Sequence, residues 1–154
     1  MPNSKLAMRT CTITPTILLV DDSPAMLKYF RTVLELYSYR VHAANNGLEA
    51  LRRIRDGFIP DVVLLDLQMP HLDGMQTLKY LLELRPGLKV IMCSALADSE
   101  KVRQARSLGA QAYLTKPVQH LCLSAALETC LRPPSRSTAA STHLNALALP
   151  SLLQ

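Results

Sequence analysis

The chain has no tryptophan and, among 154 residues, only two phenylalanines and five tyrosines. Any core must therefore be built mainly from aliphatic side chains, and with 49% of residues apolar there are enough of them for one domain. Cys11, Cys93, Cys122 and Cys130 form no CxxC pair and no Cys/His ligand spacing. That excludes a zinc finger or ribbon and gives no sign of an oxidising compartment. Three of the four sit in apolar surroundings and read as small core hydrophobes. No apolar run approaches the ~20 residues that a membrane-spanning helix needs, and the N-terminus lacks an apolar stretch of signal-peptide length. A cytoplasmic protein without membrane insertion is expected. Acidic residues are missing from both flanks. Residues 16–132 hold fourteen Lys and Arg with all twelve acids, whereas the flanks hold Lys5, Arg9 and Arg136 alone. The formal charge of +5 is thus mostly a property of the ends, and a basic nucleic-acid-binding face is not indicated.

What the chain does have is Val62-Val63-Leu64-Leu65-Asp66, followed by Gln68-Met69-Pro70 and Asp73-Gly74. Four consecutive apolar residues read as a strand buried on both faces, as in a parallel sheet. The run ends in a carboxylate and then enters turn-forming residues. Open α/β sheets bind ligands beyond the carboxyl ends of their strands, where Asp66 would stand.

The same grammar repeats along the chain. Residues 1–15 read as a loose leader. Thr16–Val20 is a second buried strand ending in Asp21-Asp22, and Ser23-Pro24 starts a helix, serine as cap and proline in the first position. Met26, Leu27, Phe30, Val33, Leu34 and Tyr37 follow at helical spacing. Tyr39–Ala44 is a short strand, and Asn46-Gly47-Leu48-Glu49 is a capping-box-like opening to the next helix. A helix over Met75–Leu84 closes at Pro86-Gly87, and a strand over Leu88–Cys93 ends at Ser94-Ala95. A polar helix carrying Val102, Ala105 and Leu108 runs to Gly109 as C-cap. Gln111–Thr115 is the fifth strand, before Lys116-Pro117, and Val118–Leu131 the last helix. Five strands alternating with five helices imply right-handed crossovers, hence a doubly wound parallel α/β sheet, (βα)5, over residues 16–132. Residues 133–154, rich in Ser, Thr, Ala, Pro and Leu, read as a low-complexity, disordered tail, with a Leu-rich docking segment as the alternative. The arginines Arg52, Arg53 and Arg55 read as a solvated helix face.

The strand ends deliver Asp21, Asp22, Asp66, Ser94 and Lys116 to one edge. Three adjacent carboxylates resist ionising together, and a hard divalent cation with oxygen ligands removes the conflict. Lys116 offers a point charge to a phosphoryl oxygen and Ser94 a hydroxyl donor. Such a set can move a phosphoryl group onto a carboxylate.

This pattern resembles the receiver domain of two-component response regulators. It is carried by Asp21-Asp22, by Asp66 with Gln68-Met69-Pro70 and Asp73-Gly74, and by Ser94-Ala95, Tyr113 and Lys116-Pro117, over about residues 16–131. The resemblance implies the flavodoxin-like receiver fold, with Asp66 as phosphoacceptor for a histidine kinase or histidine phosphotransfer protein. It implies Mg²⁺ held directly by Asp22, Asp66 and the Gln68 backbone carbonyl, and through water by Asp21. Lys116 would pair with Asp66 and then with the phosphoryl group. Ser94 would move to bond a phosphoryl oxygen and Tyr113 would follow inward as the aromatic switch. The bond before Pro117 would be cis. Such a protein acts on no separate substrate but catalyses its own phosphorylation and dephosphorylation.

Two rivals are weaker. A Mg²⁺-dependent aspartyl phosphatase typically has a second Asp two residues after the nucleophile, where this chain has Gln68. A receiver-like interaction module that never carries phosphate does not need the intact acidic pair, acceptor, serine and lysine. The 23 residues after Leu131 are too few for an output module, so a stand-alone regulator or a phosphate-passing intermediate is expected. Its output is expected on the last helix and its neighbours. Beyond a core stripe of Leu123, Leu127, Cys130 and Leu131, that helix carries Leu121, Cys122, Ala125 and Ala126 and one charge, Glu128. The partner there would be a downstream protein or a second copy of the chain.

Overall fold

Alternate residues of the strands serve two separate cores, as the two-residue period of a strand requires. Leu18, Val20, Val63, Leu65, Val90 and Met92 face one way and Ile17, Leu19, Val62, Leu64, Ile91 and Cys93 the other, all buried. The structure, a computed structural model, describes residues 13–134. The leader and tail expected from the sequence lie outside the described residues, apart from Ile13–Pro15 and Pro133–Pro134. The elements are β1 Thr16–Val20, α1 Pro24–Leu36, β2 Arg40–Ala44, α2 Gly47–Arg55 and β3 Val62–Asp66, then α3 Gly74–Leu84, β4 Val90–Ser94, α4 Ser99–Leu108, β5 Ala112–Thr115 and α5 His120–Leu131.

The strands form one parallel sheet in the order β2-β1-β3-β4-β5. This is the expected (βα)5 doubly wound architecture. One core packs Ala50 and Ile54 of α2, Leu78 and Leu81 of α3 and Ala105 of α4 on one face. The other packs Leu27, Phe30 and Leu34 of α1 with Leu123, Leu127 and Cys130 of α5 on the opposite face. β3 lies at the centre with all five residues buried, which is why its sequence is a continuous apolar run.

The helix starts follow local chemistry. Ser23 Oγ accepts from the Met26 amide, and Pro24 occupies the first position, where no amide is needed. Asn46 Oδ1 accepts from the Glu49 amide at 2.8 Å, while the Glu49 carboxylate reaches back to the Asn45 amide, one residue before the cap. α2 and α3 approach closely at their amino ends. A Cβ on Gly47 would fall on the Thr77 hydroxyl, so only glycine fits there.

Several boundaries differ from the sequence reading. β2, β4 and β5 begin one or two residues later than expected, because Tyr39, Leu88 and Gln111 lie before the paired ladder. α5 begins at His120, since Val118 is a buried plug in the core beside α5 and precedes the helix. Of the three cysteines read as core, Cys93 and Cys130 are buried but Cys122 is exposed on α5. Its apolar neighbours in sequence are not its neighbours in space. Leu131, expected in the buried stripe, is only half-buried. Of the three arginines of α2, Arg53 is half-buried and pairs with Glu49, leaving Arg52 and Arg55 on the solvated face.

The end of α1 generates a stability prediction. The Tyr39 amide bonds the Leu34 carbonyl and the Ser38 amide bonds that of Glu35, a Schellman closure that puts Ser38 in the left-handed region at φ 63°. Serine bears a Cβ cost there of about 1 kcal/mol that glycine does not. Ser38→Gly is expected to raise stability by about 0.5 kcal/mol after the greater freedom of glycine in the unfolded chain, as read by denaturant unfolding. Ser38→Val should lower it.

Candidate functional site

Sheet register decides which side chains meet. β1 ends at Val20, opposite Leu65, so Asp21 leaves the sheet beside the end of β3. Asp66 lies opposite Cys93, and Ser94 opposite Thr115, so Lys116 follows directly from the edge of β5. Four strands thus present their chemistry at one edge. Asp21, Asp66 and Ser94 are buried there, while Asp22 is exposed.

Lys116 Nζ donates to Asp21 Oδ2 at 2.9 Å and to Asp66 Oδ1 at 3.0 Å. The second oxygen of Asp21 accepts from the Ser23 amide at 2.8 Å. Asp21, Asp22 and Asp66 can place one oxygen each within 4.8 Å of one another, the group that among the described residues could hold a metal ion. Two carboxylates at that separation repel by on the order of 3 kcal/mol at an effective dielectric near 20. One ammonium cannot neutralise three. Burial pushes the Asp66 carboxyl above the ordinary aspartate range. Lys116 and a backbone bond from Gln68 oppose the shift, and the Asp21 charge adds to it. Burial pulls Lys116 down, but its bonds to Asp21 and Asp66 outweigh that and hold it above the ordinary lysine value. The pocket therefore has a surplus of hard oxygen donors and a charge deficit that a small divalent cation fits.

Behind Asp66 the backbone is tightly constrained. The Leu67 amide bonds the Cys93 carbonyl, and the Gly74 amide bonds the Leu67 carbonyl. A Cβ on Gly74 would fall on the Asp66 carbonyl and Leu67 Cα, so α3 can start this close to the acceptor only with glycine. Asp73 caps α3 through the Gln76 amide at 2.8 Å. Asp73-Gly74, expected from the sequence as a turn, is the start of α3. The Asp-x-x-Gln spacing was the signal that it is a helix cap. Between them His71 adopts φ 70°, while Gln68 is exposed just beyond the acceptor.

Ser94 Oγ accepts from the Leu96 amide at 3.1 Å, and Tyr113 OH donates to the Leu96 carbonyl at 3.2 Å. Leu96, which the sequence did not single out, is the residue on which both converge. Its part is played by backbone atoms, so no residue type could advertise it. The Lys116-Pro117 bond is cis, and Tyr29 OH donates to the Val118 carbonyl just after it.

The family model for the response regulator receiver domain matches residues 17–128. A chemotaxis protein CheY of Halobacterium salinarum is 37% identical over 103 residues, 67% of this chain and 85% of that protein. The positive alginate biosynthesis regulatory protein of Pseudomonas aeruginosa is 42% identical over 129 residues, 82% of this chain but 51% of that longer protein. Among solved structures, a chain of the CheX-CheY-BeF3-Mg²⁺ complex from Borrelia burgdorferi superposes with a TM-score of 0.75 at 26% identity, covering 79% of this chain and 92% of that one. A CheY-like receiver domain protein of Methanospirillum hungatei gives 0.71 at 32%, covering 76% and 93%. The chain belongs to the response regulator receiver domain family of two-component signalling.

The raised Asp66 pKa has a direct thermodynamic consequence. The folded protein holds that proton more tightly than the unfolded chain, so stability from this group is present in acid and lost as pH rises from 3.8 through the folded value. Asp66→Asn keeps the side chain's shape and leaves Asp21 on Lys116. It is expected to lose that part of the pH dependence and to melt a few degrees higher than wild type at pH 7, a shift on the scale of ~1 kcal/mol. Thermal unfolding across the acid-to-neutral range reads both.

Proposed function

We propose that this protein is a phosphorylation-dependent switch in which Asp66 accepts a phosphoryl group from a phosphohistidine of a histidine kinase or phosphotransfer protein. The observation that carries the reading is the shared ammonium. Lys116 spans Asp21 and Asp66 at 2.9 and 3.0 Å, at the carboxyl edge of the central strand and beside the carboxylate cluster. Asp22, Asp66, the Gln68 carbonyl and, through water, Asp21 would hold Mg²⁺, which when bound supplies charge neutralisation for an incoming phosphoryl group. The Mg²⁺ and BeF3 in the related Borrelia burgdorferi complex support this reading.

The chain's own residues account for the transfer. An Asp66 oxygen attacks phosphorus, the O–P bond forms as the P–N bond of the phosphohistidine breaks, and the electron pair leaves with the imidazole nitrogen. Lys116 can follow its partner oxygen and pair with the transferred group. Hydrolysis of the acyl phosphate by water returns Asp66, so the protein catalyses its own loading and unloading. Ser94 has a hydroxyl to donate, but here its oxygen accepts from Leu96. Turning toward a phosphoryl oxygen would free the Leu96 peptide and thereby the partner of the Tyr113 phenol. The signal then reaches the face made by α4, β5 and α5, where Leu96 and Leu121 are exposed. A downstream protein, or a second copy, would bind there as the equilibrium shifts. The protein would act in the cytoplasm. Among the described residues no helix is long and apolar enough to cross a membrane.

Incubation with a small phosphodonor and Mg²⁺, followed by intact-mass measurement, tests the assignment. One phosphoryl increment is expected, labile to base, absent in Asp66→Asn and without Mg²⁺, and strongly reduced in Asp22→Ala although that variant folds. Undiminished labelling of Asp66→Asn would remove Asp66 as the acceptor.

A further inference from the structure

A groove of about 530 Å³ lies between α2 and α3, on the face of the sheet away from α1 and α5. Leu48 and Leu51 of α2 and Tyr80 and Leu84 of α3 line it. Leu48 is 56% exposed and Tyr80 and Leu84 46% each, so one groove leaves three large apolar side chains in water. Single apolar residues are ordinary on a surface, but a contiguous set rimmed by charge marks an interaction site.

The rim carries opposite signs on its two walls, Arg52 and Arg55 on α2 and Glu83 on α3. Among the described residues neither Arg52 nor Glu83 has an ion-pair partner. Arg55 makes one exposed pair, with the adjacent Asp56, whereas Arg53 is taken by Glu49.

This charge pattern selects the occupant. A partner segment of one charge sign would meet a like charge on one wall, which is costly. A second copy of the chain avoids that, because a two-fold contact sets the α2 wall of each copy against the α3 wall of the other. The levels along the helices also agree. α2 and α3 run in the same direction, since each returns the chain between parallel strands. A Cβ on Gly47 would fall on the Thr77 side chain, which puts residue 47 level with 77. With the same rise per residue in both helices, Glu83 is level with a point between Arg52 and Arg55. A two-fold axis along the groove preserves those levels, so each Glu83 would come between Arg52 and Arg55 of the other copy. The apolar linings of both copies would close into the core of a four-helix bundle.

We infer that two copies of this chain associate through α2 and α3, covering the groove and pairing Arg52 and Arg55 of each with Glu83 of the other. This interface leaves the α4-β5-α5 face free and does not depend on phosphorylation of Asp66.

Sedimentation of the full chain over a wide concentration range, with no phosphodonor present, tests the inference. A monomer–dimer equilibrium is expected, weaker at high salt because the ion pairs lie at an exposed rim. Glu83→Arg alone and Arg52→Glu/Arg55→Glu alone should each raise the dimer dissociation constant on the order of tenfold or more, since like charges then face each other. An equimolar mixture of the two variants should recover the wild-type association. Its mixed dimer has one native and one reversed contact, both attractive, and recovery also shows that both variants fold. A wild type that stays monomeric throughout overturns the inference. So does a dimer that both charge reversals leave intact, a mixture that recovers nothing from variants of wild-type helix content, or a dimer lost in Leu121→Glu, which would put the interface on α5.

Discussion

A single ammonium stands between two buried carboxylates at the sheet's carboxyl edge, and the arrangement of the surrounding structure is bound to that contact. Lys116 reaches Asp21 and Asp66 only because β1, β3, β4 and β5 end in step, so that the residues just past each strand converge. The apolar layers on both faces exclude water from the lower part of this cluster, leaving Asp21 and Asp66 buried and Asp22 in solvent. That exclusion raises the cost of like charge. It also makes any added cation more effective, because interactions in a low-dielectric pocket are less screened. The cluster is therefore an unsatisfied electrostatic arrangement held by a well-satisfied fold. Among the described residues, no fully buried side-chain nitrogen or oxygen lacks a hydrogen-bond partner.

The backbone behind the cluster limits what can move. Gly74 presses α3 against Asp66, and the Leu67 amide is tied to β4, so the acceptor strand has little freedom. Freedom lies on the other side, in the loop between β4 and α4. There the Leu96 peptide is held from one end by Ser94 and from the other by Tyr113. A change at Ser94 is thus transmitted through one peptide unit and not through a long chain of contacts.

The fold was largely legible because a parallel sheet buried on both faces writes itself as continuous apolar runs, and Ile17–Val20, Val62–Leu65 and Val90–Cys93 are such runs. The capping residues Ser23, Asn46 and Gly109 marked helix ends through side-chain or backbone chemistry that is local in sequence. The candidate site residues could be gathered because four of the five strand ends carry chemistry-bearing side chains, Asp21-Asp22, Asp66, Ser94 and Lys116. What escaped depended on three-dimensional neighbours or on backbone atoms. The convergence on Leu96 uses its amide and carbonyl, and the left-handed His71 carries no residue-type signal. The exposure of Cys122 follows from which side of α5 meets the sheet, a matter of helix phase that neighbouring apolar residues obscured.

The divalent-cation site proposed at the carboxylate cluster would draw its affinity from uncompensated charge. Thermal unfolding during a Mg²⁺ titration, with monovalent salt held at matched ionic strength, isolates that claim from general screening. A saturable rise in Tm is expected for the wild type. Asp22→Asn should start from a higher Tm without metal and show little or no rise. A wild-type Tm that ignores Mg²⁺, or an Asp22→Asn response equal to the wild type's, would contradict it.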